Sequence, residues 1–174
     1  AQLIRGADVL LLQLEIPLDA SIAAARIARE AGVRVILNPA PYQELPSILL
    51  ELVDVIVPNE VEFAGLTGLS PDDLGTSESF ARQLMEKGPK IVIVTIGSRG
   101  SYVITGDSAL HIEGEKVENV VDTTAAGDAF CGALAFGLAS GKTAIDSARY
   151  ANKVAASAIT RMGAIPSLPR ADEV

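Results

Sequence analysis

The sequence predicts an α/β fold in which a mainly parallel sheet is flanked by helices. Three observations carry that prediction. Short runs of branched apolar residues recur along the chain, and each stops at a polar residue or a proline. Between them lie stretches with apolar residues at helical spacing, long enough to cross from one strand to the next in the right-handed sense that parallel pairing requires. The composition is 49% hydrophobic but only 4% aromatic, rich in the Ala, Val, Ile and Leu that let helices pack tightly on a sheet. At 174 residues the chain is long enough to bury a sizeable core, and residues 1–174 read as a single α/β domain.

Residues 8–14, Asp-Val-Leu-Leu-Leu-Gln-Leu, read as a buried strand from their length and near-continuous apolarity. Asp19 is placed to cap a helix running to Ala31, with Ala20, Ala24, Ile27, Ala28 and Ala31 on one side and Gly32 stopping it. Val33–Leu37 is the second strand, ending in Asn38-Pro39-Ala40-Pro41. A helix over Gln43–Leu52 leads to a third strand, Asp54–Val57, which ends in Pro58-Asn59-Glu60. Glu15, Asn38 and Asn59 therefore each fall just past the carboxyl end of a strand, the edge where open parallel sheets bind ligands. Each also fits as a loop residue or helix cap.

Further along, Glu60–Leu66 reads as a short helix, Ser70-Pro71-Asp72 as the opening of another, and Ser77–Lys87 as a helix with Phe80, Leu84 and Met85 inward. Ile91–Thr95 is the fourth strand, followed by the glycine-bearing turn Ile96-Gly97-Ser98-Arg99-Gly100-Ser101. Tyr102–Thr105 and Ala109–Ile112 form a hairpin across Gly106-Asp107, and Glu115–Val120 adds an edge strand. A very apolar helix spans 126–139. The last long helix, Ala144–Arg161, is capped by Thr143 with Asp146 three residues on, and its stripe Ile145, Ala148, Asn152, Ala155, Ile159 is interrupted by one amide. A buried Asn152 needs partners, either local backbone or a polar ligand.

A net charge of −8 argues against bulk electrostatic binding of nucleic acid or an anionic membrane. The one cysteine, Cys131, lies in the apolar helix and reads as core. It cannot form an internal disulfide, which points to a cytoplasmic protein. No run of about 18 apolar residues is present, and no signal peptide is visible. The absence of an initiator Met at Ala1 suggests a piece of a longer protein. The single histidine, His111, has no metal-ligand neighbours in sequence and reads as a surface side chain.

The stretch richest in chemistry is Val121-Asp122-Thr123-Thr124-Ala125-Ala126-Gly127-Asp128-Ala129-Phe130. Small residues where a helix opens leave the first backbone N–H groups pointing outward, and with the helix dipole these suit an anion. An acid there repels phosphate, but it makes sense if it takes a proton while the amides hold developing charge. The alternative is that Asp128 is a first-turn acid favoured by the dipole, with Asp122 and Thr123 as caps. Gly137-Leu-Ala-Ser-Gly141-Lys142-Thr143 imitates a phosphate loop, but it is one residue short between its glycines and follows a helix rather than a strand. It reads as a helix–helix turn.

Asp122-Thr-Thr-Ala-Ala-Gly-Asp128 resembles the signature of the ribokinase family of sugar kinases, Asp-Thr-x-Gly/Ala-Ala-Gly-Asp. The likeness runs from about residue 8 to about 170 and covers the later part of a family member; the amino-terminal part with its Gly-Gly sugar motif and β lid is missing. The resemblance implies a three-layer ribokinase-like fold and ATP-dependent phosphorylation of a sugar. D-ribose, phosphorylated at O5, is favoured by Gln13-Leu14-Glu15 and by Thr124-Ala125, and Glu15 would touch the sugar. It implies Asp128 as the base that accepts the sugar hydroxyl proton, with the amides of Ala125, Ala126 and Gly127 as an anion hole. Nucleotide contacts are implied at Asn59, at Ile96, Gly97, Ser98, Arg99, Gly100 and Ser101, at Gly127, and at Asn152 beside the adenine. Glu62, in Asn59-Glu60-Val61-Glu62, would act on Mg2+ through water. A K+ ion would be held at Asp122, Thr124, Ala158, Arg161, Gly163 and Ser167, several of them through backbone carbonyls. A homodimer formed through the lid is also implied. Other sugars or nucleosides, or a nucleotide-binding piece without catalysis, are the competing readings.

Overall fold

The computed structural model describes residues 1–69 and 77–174. The helix opening predicted at Ser70-Pro71-Asp72 lies outside the described residues. The chain divides into two compact units, one of Ala1–Thr95 with Tyr102–Leu110 and one of Ile96–Ser101 with His111–Val174.

The first unit carries most of a six-stranded sheet whose strands stand in chain order: β1 Val9–Leu12, β2 Arg34–Leu37, β3 Val55–Ile56, β4 Ile91–Thr95, β5 Ser101–Ile104 and β6 Ala109–Ile112. The first four are parallel, registered Leu10 to Val35, Ile36 to Val55 and Val55 to Ile91. Helices α1 Gln2–Arg5, α2 Leu18–Glu30, α3 Ser47–Leu50, α4 Glu60–Thr67 and α5 Ser77–Met85 flank it. This is the mainly parallel, helix-flanked sheet that the sequence predicts. Central strands are apolar on both faces because both are covered: Val35, Ile36, Leu37, Val55, Ile56, Val92, Ile93 and Val94 are all buried.

Several boundaries differ from expectation, each for a physical reason. β1 is not buried along its length. It pairs with β2 at the edge of the described sheet, and Leu11 on it is exposed. Asp19 does not cap α2: the helix starts at Leu18 with Pro17 at the cap position, so Asp19 falls in the first turn, where the dipole favours an acid. The helix expected over Gln43–Leu52 is only Ser47–Leu50, because Pro46 holds an extended conformation at the cap position and biases Leu45 away from helix.

Asp54, just before β3, fastens the unit together. Its carboxylate accepts from the Val35 N–H at 3.0 Å, from Lys90 Nζ at 2.8 Å and from Arg29 Nη1 at 3.2 Å. Burial pushes its pKa up, but the Lys90 and Val35 hydrogen bonds and the two positive charges outweigh that and leave it below the ordinary value.

The second unit is built on two long helices, α6 Ala126–Ala139 and α7 Ala144–Ala158. They form a helical hairpin through Ser140–Thr143, with Gly141 at φ +78°, so the imitation phosphate loop is a helix–helix turn. Thr143 caps α7 as predicted, its Oγ1 accepting from the Asp146 N–H at 3.1 Å. Gly137 lets the helices approach: a Cβ there would meet the buried Ser147 side chain at 2.7 Å. Cys131 is buried in α6. The buried face of α7 is Ser147, Ala148, Ala151, Asn152, Val154 and Ala158, rotated from the predicted stripe, in which Ile145, Ala155 and Ile159 are only half-buried. The helix ends three residues before Arg161.

The edge strand expected over Glu115–Val120 does not form. Alternation of apolar and polar residues is not enough for a strand; a ladder partner is needed, and no described strand pairs with this segment. Instead it runs beside α7, and Val121 N–H bonds Ile159 O at 2.8 Å.

Candidate active site

Each unit contributes its own group of candidate residues. In the first, the carboxyl ends of the parallel strands carry Glu15, Asn38 and Asn59 as predicted. Glu15 is exposed just beyond β1. Asn38 is a structural tie: its Nδ2 donates to Val57 O at 2.9 Å and its Oδ1 accepts from Gln13 Nε2 at 3.4 Å, linking the ends of three neighbouring strands.

Asn59 and Glu62 form a reciprocal cap on α4. Asn59 Oδ1 accepts from the Glu62 N–H at 2.9 Å, while Glu62 Oε2 accepts from the Asn59 N–H at 2.8 Å and Oε1 from Asn59 Nδ2 at 3.0 Å. The sequence left a plain capping box open beside a phosphate and magnesium role, and the box is what the side chains make. Burial raises the Glu62 pKa, only partly offset by the Asn59 backbone hydrogen bond. Among the described residues no three His, Cys, Asp or Glu side chains cluster as a metal site. Both Glu62 carboxylate oxygens accept from Asn59, so a role on Mg2+ of the kind the resemblance implies would have to run through the waters that the ion retains.

In the second unit, Ile96–Ser101 makes a tight turn. Ile96 N–H bonds Gly100 O at 2.9 Å and Gly100 N–H bonds Gly97 O at 3.0 Å. Gly97 at φ +60° and Gly100 at φ +95° adopt left-handed conformations that side chains resist. A Cβ on Gly97 would stand in open space, whereas one on Gly100 would strike the main chain of Ile112 and Gly114. One flank of the turn is thus packed backbone to backbone and the other is open. Asn152 is buried, its Nδ2 toward Ile112 O at 3.5 Å and Glu113 O at 3.4 Å, so it meets the same main-chain segment from α7. Ala156, one turn further along α7, lines an open groove of about 780 Å3 with Glu115–Asn119, Lys153 and Thr160. Nothing in the sequence marked that groove, because the segment 115–119 reads as a strand.

Helix α6 begins at Ala126, where the sequence places its start. Ala125, at its cap, has φ +61°, the left-handed conformation. Ala126 N–H turns back to Thr123 O at 3.2 Å, while the Ala125 and Gly127 N–H groups have no acceptor among the described residues. Asp128, in the first turn, is exposed and faces a cleft of about 290 Å3 lined by Gly132, Phe136, Tyr150, Val154 and Leu168. These residues were also unmarked in the sequence.

Asp122 is a clasp. Oδ1 accepts from the Thr124 N–H at 2.9 Å and Oδ2 from the Gly163 N–H at 2.9 Å, which holds the loop after α7 beside the start of α6. Hydrogen bonds from Thr124 and Gly163 lower its pKa. Of the other residues implied for K+, Thr124 and Gly163 are brought together by that carboxylate. Ala158 closes α7, its carbonyl accepting from the Arg161 N–H at 3.3 Å. Ser167 is buried with Oγ donating to Ala164 O at 2.7 Å, and the Arg161 side chain pairs with Glu173 at 3.1 Å on both nitrogens. A monovalent cation suits backbone carbonyls, and loops so fastened can present them; the side chains themselves are largely spent on the protein.

Comparison with known proteins identifies the family. Residues 1–171 match the pfkB family carbohydrate kinase profile. The chain is 40% identical to the ribokinase of Staphylococcus aureus (strain COL), over 97% of this chain and 56% of that protein. It is 44% identical to the bifunctional ribokinase/ribose-5-phosphate isomerase A of Fructilactobacillus sanfranciscensis, over 97% of this chain and 31% of that one. Among solved structures, Arabidopsis thaliana ribokinase complexed with ribose and ATP superposes with a TM-score of 0.92 at 34% identity, over 97% of this chain and 55% of that chain. The chain thus spans about half the length of the ribokinases it resembles. It belongs to the pfkB family of carbohydrate kinases.

Proposed function

We propose that this chain is the nucleotide-binding and catalytic portion of an ATP-dependent sugar kinase that phosphorylates D-ribose at O5. The observation that carries the reading is the opening of α6: an exposed carboxylate, Asp128, beside the Ala125 and Gly127 amides, for which no acceptor is seen among the described residues. In this reading Asp128 accepts the proton of the sugar hydroxyl as that oxygen attacks the terminal phosphorus of ATP, and ADP leaves. The Ala125 and Gly127 amides steady the charge on the transferred group. Ala126 would join them by giving up its bond to Thr123. Phosphoryl transfer rests largely on such positioning and charge stabilisation.

The open flank of the Gly97–Gly100 turn would receive the phosphates, with Ile96 and Ser101 holding its ends, and the groove beside Ala156 would receive the base, near Asn152. Asn59 would approach the phosphates, and Glu62 would orient water bound to Mg2+. When bound, Mg2+ and a K+ ion held by carbonyls near Asp122, Thr124, Ala158, Arg161, Gly163 and Ser167 would supply positive charge against the phosphates. Glu15 would contact the sugar. The preference for ribose is supported by the names of the relatives. A panel of ribose, deoxyribose, fructose and nucleosides on the full-length protein tests it, and sedimentation of that protein tests the homodimer. A cytoplasmic location accords with a single, buried cysteine that has no second cysteine in the chain to pair with.

The decisive variant is Asp128→Asn in the full-length protein. Turnover should fall by ~10²–10⁴-fold, as for loss of a general base, while ATP affinity stays close to wild type. Near-normal turnover would rule Asp128 out as the base.

A further inference from the structure

His111, the single histidine, stands near the end of β6 with its ring exposed. Its Nε2 lies 2.8 Å from the carbonyl oxygen of Arg99, in the middle of the Gly97–Gly100 turn. A carbonyl only accepts, so Nε2 must carry the hydrogen. Arg99 also donates its own N–H to Ile96 O at 3.2 Å, so the peptide groups on either side of its Cα are both engaged.

The rest of the turn explains why that bond has leverage. Its inner flank is main chain against main chain: Gly100 admits no side chain beside Ile112, and Gly114 admits none beside Ser98. The outer flank at Gly97 is open. The Arg99–Gly100 peptide, whose carbonyl His111 meets, is the crest between these flanks and closes an exposed segment of two residues, Ser98 and Arg99, bounded by flexible glycines. A side chain reaching that crest limits how far it can swing.

We propose that His111 is a positioning residue for nucleotide binding, holding the Arg99–Gly100 peptide by its carbonyl so that the open flank of the turn keeps the shape that accepts phosphate groups. The inference rests on the reading of residues 96–101 as the nucleotide cradle. His111 itself touches neither nucleotide nor sugar. Its loss therefore weakens ATP binding and leaves the chemical step alone.

The test uses the full-length protein with His111→Ala, His111→Gln and, as a control on the turn itself, Gly97→Val, each checked for an unchanged melting temperature or circular dichroism. Calorimetry with ADP and steady-state kinetics with ATP and ribose are the readouts. His111→Ala should raise the ADP Kd and the ATP KM about three- to tenfold, the range expected for one hydrogen bond, with kcat and the sugar KM within about twofold. His111→Gln, whose amide can donate to the same carbonyl, should recover most of the loss. Wild-type affinity in His111→Ala, equal losses in the Ala and Gln variants, or a loss confined to kcat would each overturn the proposal. If Gly97→Val also leaves ADP binding untouched, or the wild type binds none, the cradle reading fails as well. If Gly97→Val loses binding and His111→Ala does not, the role of His111 alone is refuted.

Discussion

Ala125 is the residue on which the opening of α6 turns. Its φ of +61° places an L side chain in the left-handed region, which costs roughly 1–2 kcal/mol. The conformation is useful because it turns the chain from the Asp122 clasp into the helix, where the Gly127 N–H has no acceptor among the described residues. Related kinases often carry glycine at this point, as the resemblance indicates, so the strain belongs to this chain's own choice of residue. Ala125→Gly should therefore stabilise the fold by about 0.5–1 kcal/mol, the relief of strain less the extra freedom glycine gains when unfolded. Urea denaturation reads this directly; a lower midpoint in the glycine variant would show that the alanine methyl has packing value that offsets its strain. Spacing alone marked Asp128 as either a base or a first-turn acid and Asp122 as a cap; the further role of Asp122 came from the resemblance. The bond from Asp122 to Gly163 was not legible, because the partners stand 41 residues apart and only folding brings them together.

At the scale of elements, agreement followed how much of the decision was local. α6 spans Ala126–Ala139 and β4 spans Ile91–Thr95, both as read from sequence, since composition and flanking turn residues leave little alternative. Glu115–Val120 failed because pairing is a property of two strands. The cap of α4 offers a test at this scale. Burial holds the Glu62 pKa above its ordinary value of 4.5, so the folded protein retains that proton more tightly than the unfolded chain. The linkage sign follows: this group's contribution to stability is most favourable below pH 4.5 and declines as pH rises through 4.5 and past the folded value. Glu62→Gln keeps an oxygen to accept from the Asn59 N–H but does not titrate. Its stability relative to wild type should accordingly improve between pH 4 and pH 7 in thermal melts. A difference that stays constant over that range, or moves the other way, would show that the carboxylate is not held up by burial.

For the molecule as a whole, each of two compact units carries candidate residues of its own: strand ends and the Asn59–Glu62 cap in one, the glycine turn, α6 and α7 in the other. Among the described residues no helix is long and apolar enough to cross a membrane. If the nucleotide reading holds, saturating ATP with Mg2+ should raise the melting temperature of the 174-residue chain, a gain of about 2.7 kcal/mol at a hundredfold excess over Kd. Ribose alone should have little effect on it. A melting temperature indifferent to ATP would favour a chain that needs its wider context to bind nucleotide.

Amino-acid order by itself determined the class of fold, most of the strand and helix positions, and the chemical character of the stretch from Asp122 to Asp128. Apolar periodicity, glycine and proline placement and a seven-residue signature are local properties, and local physics reads them. Tertiary structure decided what those residues touch: that Asp122 is spent on two amides, that Asn59 and Glu62 satisfy each other, that Asn152 meets the main chain behind the glycine turn, and that a lone histidine reaches its crest. Those choices depend on which distant groups arrive within hydrogen-bonding range, and a linear pattern carries no distances.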